Sequence, residues 1–139
     1  MLAVSRIPEQ RRQTDALSEV AMIQHLHRRI FSPAVGPERF HVVFFSKHRT
    51  CLGETTLVNG GPSSLSLRMR DLFSRALSVE AAGMVIAHNH PSGNCRPSVE
   101  DMKATEKLRD VGKALDIELL DHLIFTREKV YSMRAGGKL

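Results

Sequence analysis

His88-Asn89-His90, followed across seven residues by Ser98 and three further on by Asp101, sets two imidazoles and a carboxylate at a spacing that can close around one divalent metal. The preceding run, Met84-Val85-Ile86-Ala87, is short and apolar and reads as a buried central strand. In an extended chain, residues two apart point to the same side. His88 and His90 then aim both rings at one point past the strand's end, whereas on a helix they would diverge by roughly 200°. Pro91-Ser92-Gly93-Asn94-Cys95-Arg96-Pro97 breaks any regular element and predicts a tight loop. Ser98-Val99-Glu100-Asp101 opens an amphipathic segment, which puts Asp101 in the first turn of a helix, where the positive end of the dipole favours a carboxylate. Three protein ligands leave a coordination position open, the mark of a catalytic rather than a structural zinc site. Each part has a plainer reading: Ser98-x-x-Asp101 is also a helix N-cap with a first-turn acid, and a lone His-x-His pair is weak. Ser98 can do both jobs, cap and site residue. The conjunction of strand, His-x-His, loop and first-turn Asp in that order is what carries the metal reading.

This pattern resembles the signature of the JAB/MPN+ (JAMM) metalloprotease family. The fuller string His88-Asn89-His90-Pro91-Ser92-Gly93, with Pro97-Ser98 and Asp101 after it, is similar to the RadC-like branch of that family. The similarity runs from about Phe40 to Tyr131 and takes in Leu120-Asp121-His122. The resemblance implies that His88, His90 and Asp101 hold Zn2+ and that Ser98 steadies the oxyanion of a tetrahedral intermediate. It also implies an upstream glutamate on a neighbouring strand, and the matching position is Glu54, which becomes the general base. The residues alone do not select Glu54 from nine glutamates, although it adjoins Thr55-Thr56-Leu57-Val58, a β-branched stretch of a kind in which Glu is depleted. Without the resemblance, an exposed face of an edge strand is the plainer explanation. The implied activity is amide or isopeptide hydrolysis without a covalent intermediate. Zinc lowers the pKa of water to about 7, Glu54 takes a proton, and Ser98 donates a hydrogen bond where negative charge develops.

The elements that must position these groups can be read around them. Asp15 to Ile30 carries Leu17, Val20, Ala21, Met22, Ile23 and Leu26 at helical spacing, after Gln13-Thr14 and before Ser32-Pro33 and Gly36-Pro37. Phe40 to Phe45 is a strand too apolar to be an edge, and Thr50 to Val58 is its antiparallel neighbour, ended by Asn59-Gly60-Gly61-Pro62. Ser66 to Val79, with Met69, Leu72, Phe73, Ala76 and Leu77, reads as an amphipathic helix. A helix from Ser98 to about Leu115 follows the loop, with Met102, Leu108, Val111 and Leu115 inward. Ile117 to Ile124 and Lys129 to Ser132 are the last strands. This alternation predicts an α/β (α+β) fold, a mixed sheet flanked by helices, and the resemblance implies the deaminase-like JAB/MPN sandwich. An N-terminal helical segment, residues 1–36, precedes a RadC-like domain over residues 37–139. Because adjacent strand residues face opposite sides, only one of Asp121 and His122 can look at the site, and a structural role for His122 at the strand's end is expected.

With 139 residues, 42% hydrophobic and 25% charged, the chain fits one core. No apolar run approaches the roughly 18 residues of a membrane span, and Met1-Leu2-Ala3-Val4-Ser5-Arg6 lacks a secretory hydrophobic region. A cytoplasmic location is expected. Cys51 and Cys95 are too few for a disulfide framework. The net charge of +5 invites a nucleic-acid reading. Its basic excess is spread along the chain, and one Tyr with no Trp gives no platform for stacking bases. Three function classes compete. The first is a zinc metallopeptidase acting on a peptide or isopeptide. The second is a DNA-repair-associated protein with weak DNA contact, implied by the RadC resemblance. The third, a zinc deaminase, would need His-x-Glu and Pro-Cys-x-x-Cys, which are missing. No membrane partner is expected.

Overall fold

The computed structural model describes residues 4–6, 19–31, 38–58 and 69–139. Along the chain these form β1 (Val4–Arg6), α1 (Glu19–Ile30), β2 (Arg39–Phe45), β3 (Cys51–Val58), α2 (Met69–Ser78), β4 (Gly83–Asn89), α3 (Val99–Ala114), β5 (Glu118–Phe125) and β6 (Lys129–Ser132). The strands make one mixed sheet in the order β1-β6-β5-β4-β2-β3. Among the described residues only β4 and β5 run parallel. Parallel neighbours need a crossover connection, and α3 supplies it.

The β2–β3 hairpin closes on Ser46, whose hydroxyl accepts the His48 and Thr50 N–H groups at 3.2 and 3.1 Å. Arg49 takes φ 66° in that turn. The ladder bulges between Phe44 and Phe45, where Leu52 is the extra residue and Gly53 adopts φ 156°. Because directly paired residues share a face, the register sorts the side chains. Phe40, Val42 and Phe44 join Met84, Ile86 and the inward residues of α2 and α3 in one buried cluster. Val43, Phe45, Val85 and Ala87 lie on the other face against Ile23, Leu26 and Ile30 of α1. The molecule is thus a mixed sheet with α2 and α3 on one side and α1 on the other.

Asp101, Thr105, Leu108 and Gly112 form the buried stripe of α3, three or four residues apart. Gly112 is where α3 meets the next strand: its carbonyl accepts the Ile117 N–H at 2.7 Å, and a Cβ there would lie 2.4 Å from the Ile117 carbonyl oxygen.

Most element positions follow the sequence pattern, with local corrections. Leu77, expected inward, is 53% exposed, because five residues beyond Leu72 it has rotated about 140° around the helix. Leu115 caps α3 and is also exposed, as is Val20 on α1. The expected helical residues 15–18 and 66–68 lie outside the described residues, as do the turns at 32–37 and 59–62. The sequence reading has no counterpart for β1, which pairs with β6 through Val4 and Tyr131.

Candidate metal centre

β4 delivers His88 at its C-terminal end, on the face covered by α2 and α3. The residue pairs with Phe40 across the ladder and its ring stacks on that phenyl, with centroids 5.0 Å apart. The chain stays extended for one residue more because the His90 N–H donates to the Phe125 carbonyl at 2.9 Å. This carries the two-residue alternation past the strand, so both imidazoles face α3. The loop then turns back, with Gly93 at φ 85° and its N–H on the His90 carbonyl. Ser98 is the N-cap of α3 in a full capping box: its hydroxyl oxygen accepts the Asp101 N–H at 3.0 Å, and Asp101 Oδ2 accepts the Ser98 N–H at 2.8 Å. The cap fixes the carboxylate's rotamer and aims it at the histidines.

The three groups meet. His88 Nε2 lies 3.0 Å from His90 Nε2, His90 Nε2 lies 2.9 Å from Asp101 Oδ2, and His88 Nε2 lies 3.4 Å from Asp101 Oδ1. His88 and Asp101 are fully buried, while His90 is 11% exposed.

Hydrogen-bond polarity fixes what the imidazoles present. Thr105 has one hydroxyl proton and donates it to the Asp101 backbone carbonyl at 2.6 Å. Its oxygen therefore accepts from His122 Nδ1, 2.7 Å away. Burial holds the fully enclosed His122 far below the ordinary imidazole range, and so neutral. Its Nε2 is then a bare acceptor, facing His88 Nδ1 at 2.7 Å. His88 must donate from Nδ1, which leaves the lone pair on Nε2. His90 likewise donates from Nδ1 to the Asn94 carbonyl at 2.7 Å, which turns its Nε2 to the same spot, 2.9 Å from Asp101 Oδ2. With both rings neutral, two imidazole lone pairs and a carboxylate point at one spot, an arrangement that a cation satisfies. The second Asp101 oxygen, Oδ1, is buried without a hydrogen-bond partner. The donor set fits a divalent zinc-class ion, and each histidine is oriented through its other nitrogen, as metal-ligating histidines usually are.

Electrostatics agree with a site built for positive charge. Asp101 pays for burial, yet contacts from His88, His90 and the Ser98 N–H hold its carboxyl well below the usual range. Burial pushes His88 down, against the opposing pull of Asp101. For His90 burial acts the same way, but Asp101 and the Asn94 carbonyl outweigh it and raise the ring.

Glu54 is not at this centre. It pairs with Val43, and Val43 with Val85, whereas His88 pairs with Phe40. Phe40 and Val43 are three apart on one strand and face opposite sides, so Glu54 projects from the far face of the sheet, beside α1. There Oε2 meets His25 Nε2 at 2.5 Å and His41 Nε2 at 3.2 Å, and Oε1 accepts from Arg29 Nε at 2.9 Å. Burial raises the carboxyl, but His25, His41 and Arg29 together hold it at about 2. Such a group is a poor base, and its expected role is withdrawn on both geometry and basicity.

The glutamate on the correct face is Glu38. It precedes Phe40 by two residues and so shares the side on which His88 stacks. The Arg39 N–H, donating to the Asn89 side-chain carbonyl at 2.8 Å, ties this turn to the end of β4. Glu38 Oε2 is buried without a hydrogen-bond partner. Burial raises its carboxyl, and the fields of His90 (lowering) and Asp101 (raising) both reach it. A signal existed in the sequence: Glu38 and Phe40 alternate at the start of a strongly apolar strand. His122 also does more than the structural role expected of it. Of the 121–122 pair it is His122 that turns to the site, while Asp121 accepts from Ser132 Oγ at 2.5 Å and from the Arg134 N–H at 3.1 Å.

A family model described as a RadC-like JAB domain matches residues 14–138, beginning well before Phe40. Among curated relatives, a UPF0758 protein of Flavobacterium johnsoniae is 36% identical over 111 residues, which is 78% of this chain and 48% of the relative. One of Thermotoga maritima is 40% identical over 88 residues, 63% of this chain and 40% of the relative. A third, from Methanospirillum hungatei, is 50% identical over 70 residues, 50% of this chain and 31% of the relative. The chain spans about half, or less, of the length of these relatives.

Proposed function

This chain belongs to the RadC-like JAB domain family, and from that premise we propose that it is a zinc-dependent hydrolase of peptide or isopeptide bonds. The observation that carries the reading is the convergence of His88 Nε2, His90 Nε2 and the Asp101 carboxylate, with the proton positions on both rings set from behind. These three are the proposed ligands. A zinc ion bound by them supplies Lewis-acid polarisation of a carbonyl and lowers the pKa of water to about 7. Glu38 is the proposed general base: its raised carboxyl is better matched to proton transfer near neutral pH than an ordinary glutamate. It takes the proton of the attacking water and returns it to the leaving amine. Ser98 spends an oxygen lone pair on the helix cap and keeps its O–H proton to donate where negative charge develops. Phe40 and His122 brace His88 from two sides and hold water away from its ring.

The DNA-associated reading finds less support. A basic cavity of about 660 Å³ lies at the opposite end of the sheet, lined by Lys47, Arg49, Arg109, Lys113 and Arg134. However, Arg49 and Arg134 both reach Glu118 there, at 3.0 and 3.9 Å, and Asp116 adds a further acid. Among the described residues no helix is long and apolar enough to cross a membrane, and action in the cytoplasm is proposed with the hydrolase reading.

The deciding experiment is cleavage of a peptide and isopeptide library by wild type and Glu38→Gln. The variant should keep its zinc and lose roughly 10²–10⁴-fold in turnover. Wild-type turnover in Glu38→Gln would remove it as the base. Salt-sensitive DNA binding with no hydrolysis from any library member would favour the second reading.

A further inference from the structure

The far face of the sheet carries a second convergence of ligand atoms, independent of the first. His25 on α1, His41 on β2 and Glu54 on β3 bring one ligand atom each within 4.8 Å of the others. His41 is only 2% exposed. Its Nδ1 is engaged by Thr56 Oγ1 at 2.8 Å, while its Nε2 is buried without a hydrogen-bond partner. That nitrogen lies 3.2 Å from Glu54 Oε2, close enough for attraction but out of line for a hydrogen bond. A buried ring nitrogen facing a carboxylate oxygen without a bond between them is the same kind of unmet demand that Asp101 Oδ1 shows at the first centre.

The contacts leave room for a cation beside the Arg29 guanidinium. Arg29 occupies Oε1 of Glu54 and leaves Oε2 turned toward both imidazoles. His25 is 37% exposed and Glu54 22%, so an ion has a path from solvent. We propose that His25, His41 and Glu54 form a second site for a zinc-class divalent ion, bound through His25 Nε2, His41 Nε2 and Glu54 Oε2. The bound ion takes the place of the 2.5 Å contact between His25 Nε2 and Glu54 Oε2, and binding releases a proton to solvent wherever a ligand nitrogen carried one. Imidazole with carboxylate suits zinc, copper, nickel or iron, and the hard-cation alternatives magnesium and calcium prefer oxygen alone. An ion here ties α1 to β2 and β3, and it should stabilise the fold as any ligand of the native state does.

The test is zinc stoichiometry and affinity, read by calorimetry and metal analysis on the full chain, for wild type, His90→Ala, His25→Ala and the double variant. Two equivalents should bind to wild type, one to each single variant and none to the double. Zinc should also raise the melting temperature of His90→Ala but not that of the double variant. Glu54→Gln should repeat the His25→Ala result, which guards against a local effect of either substitution on α1. Unchanged stoichiometry and affinity in both His25→Ala and Glu54→Gln would overturn the second site. Loss of one equivalent in those two, with none lost in His90→Ala, would uphold it while defeating the first centre.

Discussion

Replacing Thr105 with Val removes one hydroxyl, keeps the branched shape, and tests whether His88 is held in its ligand tautomer from behind. The hydroxyl oxygen is the acceptor for His122 Nδ1, at 2.7 Å in a fully buried position. Without it, two outcomes are open to the chain. His122 can keep its Nδ1 proton unpaired, at a cost of about 1–3 kcal/mol for an unsatisfied buried donor. Alternatively, the proton can move to Nε2, where it confronts the Nδ1 proton of His88 across 2.7 Å. His88 must then shift its own proton to Nε2, the nitrogen that faces Asp101. The second course covers the ligand lone pair. Zinc affinity should therefore fall by roughly 10–100-fold, the usual range for removing a partner behind a ligand, which is about 1.4–2.7 kcal/mol. The assay is zinc titration against a competing chromophoric chelator in the His25→Ala background, so that one site reports, paired with urea unfolding of the zinc-free protein. Thr105→Ser should restore most of the affinity. Wild-type affinity in Thr105→Val, together with unchanged zinc-free stability, would refute the proton ordering along Thr105, His122 and His88.

Three further outcomes follow from the same contacts. Glu54 has its carboxyl depressed from 4.5 to about 2, so its stabilisation is complete above pH 4.5 and is lost as pH falls toward 2. Glu54→Gln should flatten acid unfolding in that window by about 1–3 kcal/mol, discounted for the exposed Arg29, in pH-dependent urea titrations. Ser98→Ala removes the α3 cap and should cost about 0.5–2 kcal/mol; its turnover should drop by more than any loss of zinc content explains. Gly112→Ala pushes a methyl against the Ile117 carbonyl and should lower stability by about 1–3 kcal/mol, measured by thermal unfolding.

Local chemistry made the convergence of His88, His90 and Asp101 legible. His88 and His90 needed only strand alternation, the loop needed only Pro and Gly, and Asp101 needed only a helix start. All of these lie within 14 residues, 88 through 101. The proposed base was less legible: Glu38 alternates with Phe40, but that His88 shares this face depends on which residue of one strand lies opposite which of another. Glu54 pairs with Val43, and a shift of one residue in that register would have turned it to the other face. No run of residues states that register. Glu38 belongs to the right face for the same reason that Glu54 does not. His122 escaped because its value lies in a chain through Thr105 to a backbone carbonyl, contacts between α3 and β5 that only the packed crossover creates. The helices and strands themselves followed hydrophobic period closely. The exceptions, Val20, Leu77 and Leu115, are apolar residues at the exposed side or end of a helix, where an apolar side chain is tolerated without being buried.

The central claim is that His88, His90 and Asp101 share one metal ion. Anomalous diffraction at the zinc edge, from crystals grown with zinc in excess over both sites, tests it directly. The account predicts a peak about 2.0–2.2 Å from His88 Nε2, His90 Nε2 and an Asp101 carboxylate oxygen, which disappears in His90→Ala. Well-diffracting crystals with these three side chains ordered and no anomalous density between them would contradict it.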